Sequence, residues 1–198
     1  MIRKIMSESE REAKDTRNKR IMGVVLGLIM LLSTAGYFVF DFSTPKAKSI
    51  DYAGIKFSQT LAGTWGFSYG GNSYETRYTP LETKNIQITL TKTLSDYYNK
   101  PLYISANPID DISQSSNTEI LKNINTIVLR ASFACMDANC TQNYPIKDCS
   151  SDNMIIFEQS STNSSRITQQ QKCVTLTYAP SDEERLADAF LFGIIGIK

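Results

Sequence analysis

The stretch from Ile21 to Phe40, IMGVVLGLIMLLSTAGYFVF, holds twenty residues without a charge and constrains the rest of the chain. At 1.5 Å per residue a helix of that length spans about 30 Å, the thickness of a bilayer's hydrocarbon core. The segment before it is short and charged; the segment after it reads as one water-soluble domain. The predicted layout is a charged cytoplasmic tail at 1–20, a transmembrane anchor at 21–42, a linker at 43–49 and an extracytoplasmic domain at 50–198.

Charge gives the anchor a direction. The first twenty residues carry seven basic groups against four acids (Glu8, Glu10, Glu12, Asp15), so the tail is about +3 and the remainder about −2. Arg17, Lys19 and Arg20 stop at the first apolar residue, which keeps this end cytoplasmic by the positive-inside rule. Glu10/Lys14 and Asp15/Lys19 stand at helical spacing. The tail reads as an orientation signal, with a docking site for a cytosolic partner as the alternative. Small residues at Ser33-Thr34-Ala35 offer cleavage after Ala35 as a rival to a retained anchor. Against cleavage, the apolar run continues to Phe40. Gly23 and Gly27 form a G-x-x-x-G, a helix-dimer seam in outline.

The chain contains no histidine. Ser-His-Asp and Cys-His catalysis and imidazole-bound zinc are thereby excluded. No basic face suits nucleic acid. The expected partners are the lipid bilayer and a protein partner or second copy, with no cofactor.

Within the domain, Ile55 and Phe57, then Trp65, Phe67 and Tyr69, then Tyr74 and Tyr78 alternate around a Gly70-Gly71-Asn72 turn. Ile86, Ile88 and Leu90 repeat the pattern, which predicts a meander of three or four antiparallel strands. Leu102 to Ser105 is a short strand. Ser116-x-x-Glu119 is a capping box followed by Ile120, Ile124, Ile127, Val128 and Ala131 at helical spacing. Met154–Phe157 and Cys173–Tyr178 are β-branched strands, read as a hairpin around an exposed loop at 159–171. Ser181-x-x-Glu184 opens a last helix through Leu186, Phe190 and Ile194. The order, β-meander then β-α-β-β-α, is α+β with helices packed on a mainly antiparallel sheet. The apolar run Ala189 to Ile197 reads as a docked core helix, with membrane contact or a partner groove as alternatives.

Cys135, Cys140, Cys149 and Cys173 all lie beyond the anchor and read as two disulfides in an oxidising compartment. Their spacing lacks the short pairs of zinc ribbons and any C-x-x-C redox motif. A hairpin would put Cys173 opposite Phe157, far from Cys149. A helix through Ala131 would turn Cys135 to the sheet. The expected pairs are therefore Cys135–Cys173 and Cys140–Cys149; finding Cys149–Cys173 would overturn the hairpin.

Asp110 and Asp111 follow a strand, where α/β folds often place sites, but a solvated turn is the preferred reading of them. Trp65, Phe67, Tyr69, Tyr74 and Tyr78 form either a platform for a sugar or peptide or the core face of the meander. Asn139 and Asn163 match the glycosylation pattern.

DYAGIKF, GTWGF, YTPLE, PLYISANP, the cysteines around YPIKDC and the terminal FLFGIIGIK occur in an order that resembles small archaeal membrane-anchored proteins. That family has no established activity, and the resemblance implies an anchored domain on a disulfide-permissive exterior. The expected function is a non-catalytic, membrane-tethered extracytoplasmic domain that binds a partner or supports envelope assembly. One alternative is a carboxylate-dependent glycan hydrolase, with two of Asp110, Asp111, Glu75 and Glu82 in one cleft. Another is an accessory subunit of a membrane complex, acting through Gly23 and Gly27.

Overall fold

The computed structural model describes residues 8–42, 48–105, 111–138, 140 and 143–197, with side chains of the N-terminal helix described at Glu12 and over 15–33 and those of the helix from Asp111 described from Ser115 onward. Two compact units divide the chain, Met1–Lys46 and Ala47–Lys198.

The first unit is one helix, α1 (Glu8–Phe42). Asp15 and Lys19, one turn apart, form the expected ion pair at 2.9 Å. The helix continues without a break through the apolar stretch, whose described side chains are exposed on all faces. Among the described residues no helix is long and apolar enough to cross a membrane. The anchor predicted at 21–42 is thus not shown by them.

The second unit is α+β. A four-stranded antiparallel meander runs in order β1 (Ser49–Tyr52), β2 (Ile55–Gln59), β3 (Trp65–Tyr69), β4 (Asn72–Thr76). The β3–β4 turn at Gly70-Gly71 has positive φ at both glycines, 58° and 81°, as a two-residue hairpin turn demands. Short helix α2 (Pro80–Thr83) comes next, capped by Thr79 with Glu82 reaching back to its backbone. Then come β5 (Gln87–Thr89), α3 (Leu94–Tyr97), β6 (Pro101–Ser105), α4 (Asp111–Ile124), β7 (Arg130–Ala134), β8 (Asn153–Gln159), β9 (Arg166–Gln170), β10 (Cys173–Tyr178) and α5 (Glu183–Ile195). They build a six-stranded mixed sheet, β5-β9-β10-β8-β6-β7.

Several sequence expectations are corrected here. Strands β8 and β10 are parallel, not a hairpin, with Cys173 opposite Met154. The stretch read as a loop contains β9, which makes the true hairpin with β10; Ile167 is its one buried side chain, so its polar outer face hid it. Helix α4 starts at Asp111, so Ser116 lies inside it rather than at its cap, and it stops at Ile124. Ala131 and Cys135 then continue as strand β7 and its extension, where Arg130 and Ser132 alternate with Ala131 and Phe133. Lastly, β5 leaves the meander and edges the larger sheet beside β9. The sheet is mixed, with more parallel than antiparallel pairings, not mainly antiparallel.

Alternation along the strands gives the sheet two different faces. Leu102, Ile104, Ile155, Phe157, Val174 and Leu176 point to the main core, against Ile120 and Ile124 of α4 and Leu186 and Phe190 of α5. The meander closes this core through Phe57, Phe67 and Tyr74; Phe67 stands 5.9 Å from Phe192 of α5, ring centre to ring centre. The C-terminal run is a docked core helix, ended at Gly196 with φ 84°, where Gly196 and Ile197 both donate to the Phe192 carbonyl. The other face holds a smaller cluster, Tyr103, Ala134, Met154, Ile156 and Cys173.

A polar seam runs along α4 and α5 beside this core. Asn123 of α4 accepts from the Glu75 amide and donates to the Glu75 carbonyl, both at 2.8 Å, and so serves β4 as a further strand would. Asp188 of α5, 0 % exposed, accepts from the amides of Arg77 at 2.9 Å and Tyr78 at 2.8 Å. Burial first, and then the neighbouring Glu119, push the Asp188 carboxyl up to about 8.

Candidate functional site

Both disulfides differ from the expected pairs: they join Cys135 to Cys140 and Cys149 to Cys173. Parallel pairing of β8 and β10 is the cause, since it brings the start of β10 to the start of β8, next to Cys149. The Lys172 amide also donates to the Cys149 carbonyl at 3.0 Å. Disulfides form and persist in oxidising compartments, and all four cysteines are paired.

These bridges brace a strap, residues 143–149, along the outer edge of β7. The Cys135 amide donates to the Pro145 carbonyl at 2.9 Å and the Lys147 amide to the Cys135 carbonyl at 2.8 Å, so the strap adds a short parallel rung to the sheet. Its far end is wound around Asp148, whose carboxylate accepts from the Ser150 and Ser151 amides at 2.8 and 3.0 Å. Those bonds, led by the Ser150 hydroxyl, hold the Asp148 carboxyl down at about 2.

Strap and sheet enclose a recess of about 600 Å³ lined by Tyr103, Arg130, Ser132, Phe133, Tyr144, Pro145 and Lys147. The β6–β7 register sets Tyr103 opposite Ser132, with Arg130 two residues before it on the same face. Arg130 Nη2 donates to Tyr103 Oη at 3.1 Å. Lys147 Nζ lies 4.6 Å from the centre of the Tyr103 ring and 3.2 Å from Asp152. The Arg130 hydrogen bond draws the Tyr103 phenol below its ordinary range, and Lys147 adds to this. Asp152 first, then Tyr103, hold the Lys147 ammonium above its own. Phe133 and Tyr144 face each other at 5.8 Å across the rim. Among the described lining residues two are cations and none is an acid.

A second cavity, about 270 Å³, opens where β6 and β8 begin, lined by Lys92, Lys100 and Lys172 with Asp96 and Asp152. Lys92 is buried there, donating to Asn153 Oδ1 at 2.7 Å and to the Lys172 carbonyl, above the Tyr97 ring. Desolvation lowers its ammonium to about 8. Its donors are directed at protein oxygens, so it ties loop to sheet.

Comparison with protein-family models, with curated proteins and with solved structures finds no match for this chain. The site rests on its own chemistry.

The residues singled out from the sequence are scattered. Trp65, Phe67 and Tyr74 are 8, 5 and 4 % exposed and belong to the core; Tyr78 is half-buried and only Tyr69 stands out to solvent. The aromatic-platform reading is corrected accordingly, because one face of the meander packs on α5. Glu75 pairs with Lys122 at 3.4 Å and Glu82 caps α2. Asp111 begins α4, and Asp110 lies outside the described residues. Asn163 is exposed in the β8–β9 turn with φ 53°, while Asn139 lies outside the described residues. At Gly23 and Gly27 an added Cβ would meet nothing within 4 Å. Among the described residues no group of three or more Cys, Asp or Glu could hold a metal ion. Sequence reasoning missed Tyr103, Arg130 and Lys147. The alternation of Arg130 and Ser132 with Ala131 and Phe133 was the available signal, obscured by a helical spacing that also fits.

Proposed function

We propose that the protein is a membrane-tethered extracytoplasmic binding module, non-catalytic, whose ligand-facing surface is the strap recess. The observation that carries this reading is the recess itself: aromatic rings beside the Arg130 guanidinium, held by a strap that both disulfides brace. The tether is inferred from twenty uncharged residues behind a basic cluster, with every cysteine on the far side. A second copy, or an accessory role in a complex, would use the G-x-x-x-G of Gly23 and Gly27 on the same helix. Of the acids the hydrolase alternative would use, Glu75 is engaged in an ion pair and Glu82 in a cap.

Fractionation tests the tether. The full chain is expected in the carbonate-resistant membrane pellet. Val25→Lys with Leu28→Lys is expected to release it, because each charge near mid-span costs about 3 kcal/mol of insertion. A full chain that washes off in carbonate contradicts the reading.

A further inference from the structure

We propose that the strap recess binds the carboxylate of an acidic sugar, Arg130 taking the carboxylate while Phe133 and Tyr144 take the ring. The inference rests on the reading of the domain as an exported binding module and names its ligand class.

Charge is the first consideration. Arg130 has five N–H donors in a planar fork. Its described hydrogen bond goes to a neutral phenol, and no acid among the described residues lies in ion-pair range of it. A guanidinium left with free donors at the mouth of a recess is suited to a bidentate carboxylate. Lys147 is different. Asp152 already balances it, so it holds Tyr103 in place and adds field without offering a second strong anion contact. The recess therefore fits one negative charge better than the two of a phosphate monoester.

Shape and polarity select the rest of the ligand. About 600 Å³ of open space accepts one or two rings. Phe133 and Tyr144 stand at the rim tilted by 41°, their ring centres 5.8 Å apart. Beside them Ser132 and Tyr144 carry hydroxyls that donate and accept. An apolar wall interleaved with hydroxyls suits a ring with an apolar C–H face and hydroxyl edges. A purely aromatic acid would leave those hydroxyls without partners. A free acidic sugar and a uronic acid unit of a longer glycan share this chemistry.

The test uses the full chain in detergent, with glucuronate, a uronic-acid disaccharide, glucose and benzoate as probes, followed by calorimetry and ligand-observed NMR. Glucuronate is expected to saturate and to bind at least about tenfold tighter than glucose, as one charge-assisted bidentate contact implies. Arg130→Ala should remove that advantage and Arg130→Lys should restore part of it, while Lys84→Ala on a distant surface changes nothing. A disaccharide that binds tighter than the monosaccharide assigns the ligand to a glycan; equal binding assigns it to the free sugar. Benzoate binding as well as glucuronate overturns the proposal. So does glucuronate binding that Arg130→Ala leaves unchanged, or no saturation up to about 20 mM, a range well beyond any specific site of this kind. Failure here leaves the carbonate result standing, so the ligand and the tether are judged separately.

Discussion

Asp188→Asn is expected to flatten the pH dependence of stability and to leave the variant firmer than the natural protein at pH 8. Asp188 is buried, its Oδ2 receives two backbone amides, and its Oδ1 lacks a donor unless a proton is shared with Glu119. In the folded state its carboxyl is raised to about 8, against about 4 in the unfolded chain. Because the folded value is the higher one, the folded state holds more protons across that interval. Stability is then fully present below about pH 4 and falls as pH rises towards 8. The loss is on the order of a few kcal/mol and belongs to the Asp188–Glu119 pair together.

Other charges face the same seam. Lys122 lies 3.0 Å from Glu119 and 3.4 Å from Glu75, and Arg77 lies 3.1 Å from Glu184. The difference between variant and natural chain therefore reads the Asp188–Glu119 pair rather than Asp188 alone. Asparagine keeps an acceptor for Arg77 and Tyr78 and presents an amide donor to Glu119 without needing a proton. Urea denaturation at pH 5 and pH 8 checks this: the natural chain should lose stability between the two and the variant should not. Parallel profiles would remove the shared-proton account of the seam.

The second large effect belongs to Cys149–Cys173. Its removal, as Cys149→Ser with Cys173→Ser, is expected to cost about 3 kcal/mol, because it closes a loop of 24 residues. Removing Cys135–Cys140, which closes a separation of 5, should cost about 2 kcal/mol or less. For a chain of this size the first loss corresponds to roughly 6–12 °C in Tm. Thermal melts of the two double variants, each monitored by far-UV circular dichroism, measure the difference. An equal or reversed ranking contradicts the loop-length account.

The parts legible in the sequence were those whose signal is local. Two-residue alternation around Gly70-Gly71 identified the meander, and the spacing of Leu186, Phe190 and Ile194 identified α5. The sheet order was not legible, because β8 and β10 are neighbours through space with β9 outside them, and neither strand carries a mark of direction. Strand β9 presents one buried residue and four polar ones, so it resembles a loop. The disulfide pairing failed with the strand order and with the placing of Cys135 on a helix; with the parallel register known, Cys149–Cys173 is dictated by distance, the Cα atoms being 5.0 Å apart. The recess escaped because Tyr103, Arg130 and Lys147 come from three segments that only the β6–β7 register and the strap bring together.

The most direct test of a disulfide-braced domain tethered on the far side of a membrane is thiol labelling in intact cells. Cells are treated with a membrane-impermeant maleimide, with and without prior exposure to a membrane-impermeant reductant. The account predicts no labelling without reductant and labelling of Cys135, Cys140, Cys149 and Cys173 with it, before any lysis. Cysteines that react only after lysis, or that react without reductant, would contradict it.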